Sequence, residues 1–263
     1  MALWRYSYIM NPLKLFHIWH VFIILVMLMG SVKMALGQSA ENRPYTDLRP
    51  FHLGVFVGTH IQDLELNNVG PQTITADDGS VMQANISADQ DRWDAGFSVG
   101  VLGELRLTTN LQLRIAPALH FGTRHITFRN LTETTADGKP IEKTQEMKTV
   151  YVATAFEMLF TAPRNVNHRP YLLAGISPMI NLSGRDNDYL KLKRFDTFLE
   201  VGIGCDFYLP FFKLRPELKF MYSLTNSLDT GHYKRLKDNN MRAYAAAVNE
   251  ARSKIIALTF YFE

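Results

Sequence analysis

Eight stretches of this chain alternate apolar and polar residues with a period of two, each over about ten residues. A period of two puts successive side chains on opposite faces of an extended strand, and no helix tolerates it. From Phe51 to Ile61 one face carries Phe51, Leu53, Val55, Val57 and Ile61; the other carries His52, Gly54, Phe56, Gly58 and His60. The pattern recurs at Ala95–Leu107, Leu111–Gly122, Thr149–Phe160, Tyr171–Ile180, Thr197–Leu209, Phe212–Tyr222 and Ile256–Phe262.

Strands of this length match the crossing of an outer membrane, although a soluble sandwich also alternates. Two further features favour a barrel. The polar faces mix glycines with charges, as a narrow lumen requires. The connections also alternate in length: Thr108–Asn110 and Pro210–Phe211 are tight and Thr161–Arg169 moderate. Gln62–Asp94, Asn130–Lys148, Leu182–Asp196 and Asn226–Ser253 are long and polar, and read as extracellular loops. The expected fold is all-β: a single closed antiparallel transmembrane β-barrel of about eight strands, with an N-terminal signal peptide and long loops on one rim. Pro117, Pro178 and Pro216 fall inside these strands and weaken them or mark bulges. Ala-rich Asn239–Ala251 reads as a short helix in the last loop.

The N-terminus holds a long apolar run, Ile18–Leu36, preceded by Lys14 and ended by Ala35-Leu36-Gly37. That order is the pattern of a secretory signal peptide cut before Gln38, with a membrane anchor as the alternative. Residues 1–37 are therefore expected to be a signal peptide, 38–49 a short periplasmic lead-in and 50–263 the barrel. Removing residues 1–37 takes out Arg5, Lys14 and Lys33 and no acid, leaving 25 bases against 25 acids. The apparent basicity of the whole chain thus makes no case for nucleic acid as a partner. With one cysteine, Cys205, on an apolar face, neither a disulfide framework nor a Cys-based metal site is available.

An eight-stranded lumen is only wide enough for side chains to fill it. Its expected faces carry Glu104, Arg106, Arg114, Glu157, Glu200, Asp206, Arg215, Glu217 and Lys219. Charges of both signs in so narrow a space are expected to pair as a structural network, and an ion or proton path is the alternative. No Gly-x-Ser-x-Gly or His-Glu-x-x-His motif occurs. Asp94, His125 and Ser177 could be assembled into a rim triad only as any scattered set could. No catalytic residue, cofactor or metal is expected, and the chain reads as a non-enzyme whose partner is outer-membrane lipid.

Four stretches resemble the PorT family of Bacteroidetes outer-membrane proteins: Arg169–Pro178, Asp196–Phe207 with its Glu200-Val-Gly-Ile-Gly-Cys-Asp206 core, Lys213–Lys219 and Ser253–Glu263. The N-terminal half matches only as a barrel pattern. Phe262 is followed by Glu263, whereas barrels generally end on the aromatic residue. The resemblance implies a non-enzymatic accessory or assembly role in type IX secretion of proteases and adhesins, with other secretion-system proteins as partners. A small surface barrel that binds ligands through its loops is the alternative, and a rim enzyme acting on lipid or peptide a further one.

Overall fold

The structure, a computed structural model, describes residues 40–75, 81–134, 136–184 and 188–263. The expected signal segment and the first two residues of the lead-in lie outside the described residues.

Ten strands form one antiparallel sheet: β1 (Phe51–Asn68), β2 (Pro71–Thr75), β3 (Val81–Asp89), β4 (Asp94–Arg106), β5 (Leu111–Thr134), β6 (Pro140–Thr161), β7 (His168–Asn181), β8 (Phe195–Tyr208), β9 (Lys213–Ser223) and β10 (Val248–Phe262). Their order is β2-β3-β5-β4-β1-β10-β9-β8-β7-β6, and β5 also pairs with β6. That pairing closes eight strands into a ring, so the ring exposes no free edge. The eight alternating stretches of the sequence are the eight strands of this ring.

The short connections and the chain end gather at one rim, where Leu107 and Thr108 both donate to Leu111 O and Leu209 donates to Phe212 O. By the rule for such barrels this rim is periplasmic. At the opposite rim two of the four stretches expected as loops are largely strand. β1 runs on to Asn68, the β2–β3 hairpin follows, and β5 and β6 continue as one long hairpin to Thr134 and Pro140. The described parts of Leu182–Asp196 and the stretch after Ser223 remain mostly irregular, and the latter includes the helix α1 (Asn239–Ala245). That helix ends six residues before the expected Ala251, because β10 begins at Val248.

The extensions are strands because their pattern inverts. Within the membrane band the outward residues are apolar apart from Thr59 and Thr154, up to Ile61 on β1, Phe121 on β5, Val150 on β6 and Ile256 on β10. The next outward residues are Asp63, Thr123, Lys148 and Lys254. Inward positions switch the opposite way: Leu64, Ile126, Phe128, Met147 and Ala251 are buried in an apolar core with Leu190, Leu192, Leu228 and Tyr244. Lipid demands apolar residues outside, and water demands them inside, so the same strands change sides at the membrane surface.

The three strand prolines make no bulge. Pro117 stays opposite Thr154, Pro178 opposite Thr197 and Pro216 opposite Phe260. Each opens a gap of two pairs on its other side, where the register then resumes unchanged. A proline lacks one N–H, and that N–H would have pointed at only one neighbouring strand.

Candidate functional site

The interior of the barrel is layered along its axis. Nearest the periplasmic rim lies a charged layer assembled by cross-strand register. Glu104 faces Arg114, and Arg114 faces Glu157. Arg114 is fully buried and reaches Glu104 at 3.3 Å, Glu157 at 3.1 Å and Glu217 at 2.8 Å. Its guanidinium stacks 4.6 Å from the centre of the Tyr261 ring. Arg215 bonds Glu104 at 2.6 Å and also pairs with Asp206 and Glu263. Lys219 pairs with Glu157, lies 3.3 Å from Glu217 and 3.7 Å from Glu200. Tyr171 donates to Glu217 at 2.7 Å.

Eight of the nine residues expected in the lumen thus meet in one connected network. Arg106 does not. It shares the parity of Glu104 but lies one step nearer the rim, where its Nε donates to Thr108 O at 3.4 Å. Three further members lie outside the nine expected lumen residues. Lys213 has the parity of Arg215, and Tyr171 that of Leu173; both are buried inward. Glu263 is the third: Phe262 keeps the outward aromatic position, and Glu263 turns inward to pair with Lys213 and Arg215. Gly204 makes the layer possible, because Tyr171 lies across it. A Cβ there would stand 2.3 Å from Tyr171 Cζ.

Above the charges is a belt of small residues, Ala116, Ala118, Ala153, Ala155 and Ala257, around a cavity of about 20 Å³. That is the space of one water molecule. Ser177 and Glu200 line it. A hydrogen-bonded chain follows, with Ser98 Oγ 2.8 Å from His60 Nδ1 and 2.7 Å from His120 Nδ1. Higher still, Arg124 reaches Gln62 at 3.2 Å and Ser253 at 3.0 Å. The apolar core of the extension then closes the extracellular end. Of the scattered triad, Asp94 and His125 do meet at 2.9 Å on the extracellular rim. Ser177 belongs to the interior cavity instead.

The lead-in is tied down at the periplasmic end. Asn42 donates through its backbone to Asn167 Oδ1 at 2.8 Å and through its side chain to Tyr208 O at 3.0 Å. Arg43 bonds the backbone oxygen of Glu263 at 3.0 Å. Asp47 accepts from Tyr208 at 2.7 Å and sits 3.6 Å from Arg164 and 3.8 Å from Arg169. Outside the membrane band, the Arg129 guanidinium 2.9 Å from Asp91 holds that carboxyl below its ordinary value.

A closed eight-strand ring, with apolar residues outward and charges inward, defines a small outer-membrane β-barrel. The chain belongs to the outer membrane protein beta-barrel domain family, whose model matches residues 37–229. It is a protein of the bacterial outer membrane. Among solved structures it is similar to OprG from Pseudomonas aeruginosa, at 10% identity over 80% of this chain and 93% of that one, with a TM-score of 0.44. It is also similar to the Neisserial surface protein A, at 12% identity over 81% and 98%, with a TM-score of 0.40. No curated protein sequence matches it.

Proposed function

We propose that this barrel is a non-enzymatic component of a secretion apparatus that works through its rims. The observation that carries this reading is the filled interior. A charged plug and an apolar extracellular core stand in series along the axis, and the lumen cavity between them has the volume of one water. Cargo therefore passes elsewhere, and the barrel contributes surfaces. Two are available: the ordered lead-in over the periplasmic rim, and the folded extension above the membrane. The finer assignment, an accessory or assembly factor of the type IX system in the manner of the PorT family, is supported by the four stretches of resemblance, which lie in β7, β8, β9 and β10. Other proteins of that system are then its partners. Deleting the gene and measuring surface proteases and adhesins tests this: cargo should be retained in the periplasm, and normal export refutes the role. A pull-down from detergent-solubilised outer membrane should recover secretion-system proteins. The second reading is a surface barrel that binds ligands through its extracellular part, where β1, β5 and β6 run on as an ordered extension.

A further inference from the structure

The ring has no free edge, but the extracellular extension keeps one. β1 pairs with β4, β2 pairs with β3, and Gly70, at a φ of 83°, lies between β1 and β2. On its other side β1 pairs with β10, and that ladder ends where Val69 N donates to Ala247 O at 2.9 Å. Beyond this point the chain on the β10 side folds away as α1, while β2 runs on for 5 residues. β2 therefore stands at the end of the strand order, paired with β3 alone. Every second residue of a strand turns its N–H and C=O to the same side. Among the described residues, no main-chain group meets those of Gln72, Thr73 and Ile74 on the side away from β3.

This edge lies in a cleft of about 570 Å³, whose opposite wall is the segment before α1 and the start of β10. Gln72 donates from Nε2 to Ala243 O in α1 at 3.1 Å and so holds β2 at a fixed distance from that wall. The floor is apolar: Ile74 packs against the extracellular core, Val248 is buried, and Ala246 lies with them. The margin carries Thr73 and Asn249, both exposed. Such an edge is matched by a second extended main chain, which repeats donors and acceptors at strand spacing. The opposite wall leaves no room for a folded edge, such as β2 of a second copy. A lone extended segment fits, with alternate side chains on the apolar floor and the others in water. We infer that this cleft binds an extended peptide segment of another protein, about five residues long and alternating apolar with polar side chains, as an added strand on β2. The proposal does not depend on the secretion role, and the two fail separately.

The test uses the full-length protein in detergent and two capped hexapeptides, one alternating threonine with valine and one alternating threonine with tyrosine. Calorimetry and amide exchange read the outcome. At least one peptide should bind, and binding should slow exchange within Gln72 to Ile74 by about 10-fold or more. Methylating the amides of one alternate set of peptide residues should weaken binding about 10-fold, and methylating the other set much less, because an added strand turns only one set toward β2. Asn249→Trp, which fills the cleft from its exposed margin, should abolish binding while heat-modifiable gel mobility stays that of the native barrel. Failure of both peptides to bind at millimolar concentration overturns the proposal. So does binding without slowed exchange in β2, equal weakening by the two methylation patterns, or unchanged binding by natively folded Asn249→Trp. Self-association in detergent that Asn249→Trp removes would assign the edge to a second copy of this chain and overturn it as well.

Discussion

Arg114→Met is the most direct trial of the charged plug. The arginine is fully buried and bonds three carboxylates, Glu104, Glu157 and Glu217, at 3.3, 3.1 and 2.8 Å. At an effective dielectric of about 20, each such contact is worth about 5 kcal/mol gross. Most of that is offset by the desolvation of four charged groups. The net cost of removing one partner of a buried pair is about 3–5 kcal/mol, because the charges left behind stay buried and repel one another. Methionine matches the volume roughly and fills the space, so the cavity contribution is small. Glu217→Gln alone leaves the Arg114 charge with Glu104 and Glu157 and should cost about 2 kcal/mol. The double variant should cost about 2 kcal/mol less than the two singles together, since each single exposes the same imbalance. Reversible urea unfolding from lipid vesicles, followed by heat-modifiable gel mobility, measures all three. A loss below about 1 kcal/mol for Arg114→Met, in the range of solvent-screened pairs, would refute the plug and mean that the lumen is hydrated.

Four smaller perturbations probe other layers. Gly204→Ala should push Tyr171 off Glu217 and cost about 2 kcal/mol in the same assay, since the added Cβ meets the Tyr171 ring at 2.3 Å; an unchanged midpoint would mean that the ring shifts freely. Phe128→Ala should loosen the extracellular core by about 3–5 kcal/mol, because Phe128 is fully buried against Tyr189 and Tyr244. Amide exchange should rise in the extension and stay slow in the membrane band. Val166→Asn should stabilise the barrel by about 1 kcal/mol, because Val166 holds a left-handed φ of 52° that a β-branched side chain disfavours; a lower unfolding midpoint would count against it. Asp91 is mostly exposed, and its pKa is depressed below the ordinary 3.8 chiefly by the Arg129 hydrogen bond. Its contribution is present above that value and lost as pH falls through the lower folded one, so a carbon NMR titration with a midpoint at or above 3.8 would contradict the pair.

The ring was legible in the sequence because lipid imposes a rule that few residues break over about ten residues. Phe51 to Ile61, or Leu111 to Gly122, can satisfy it in only one way. The extension was not legible because its rule is the reverse. Outward Asp63, Glu65, Glu146 and Lys148 raise the polar content of their stretches, and the apolar residues between them, such as Leu64 and Met147, point inward. Counting polarity alone makes such a strand look like a loop. Parity also gives a face but not a depth. Arg106 and Glu104 share a face, yet only Glu104 lies deep enough to be covered. Lys213 and Glu263 carried the right parity and were passed over, Lys213 beside a turn and Glu263 at the chain end.

The inversion also constrains what the barrel can do. A polar plug opens only by separating charges that have no water to take their partners' place. An apolar core opens only by admitting water against Leu64, Ile126, Phe128 and Leu190, all almost wholly buried. The two barriers respond to opposite influences: protonation of the carboxylates weakens the first, while solvents for apolar groups weaken the second. No single ligand or change of conditions relaxes both, and they stand in series. The extension is also continuous with the barrel wall through β1, β5, β6 and β10, so its core cannot swing aside as a lid without breaking strand pairs that run through the membrane surface. Any signal or cargo handled by this protein is therefore handled at its outer surfaces, where the lead-in, the lipid-facing rows and the extracellular extension offer three chemically distinct places to do it.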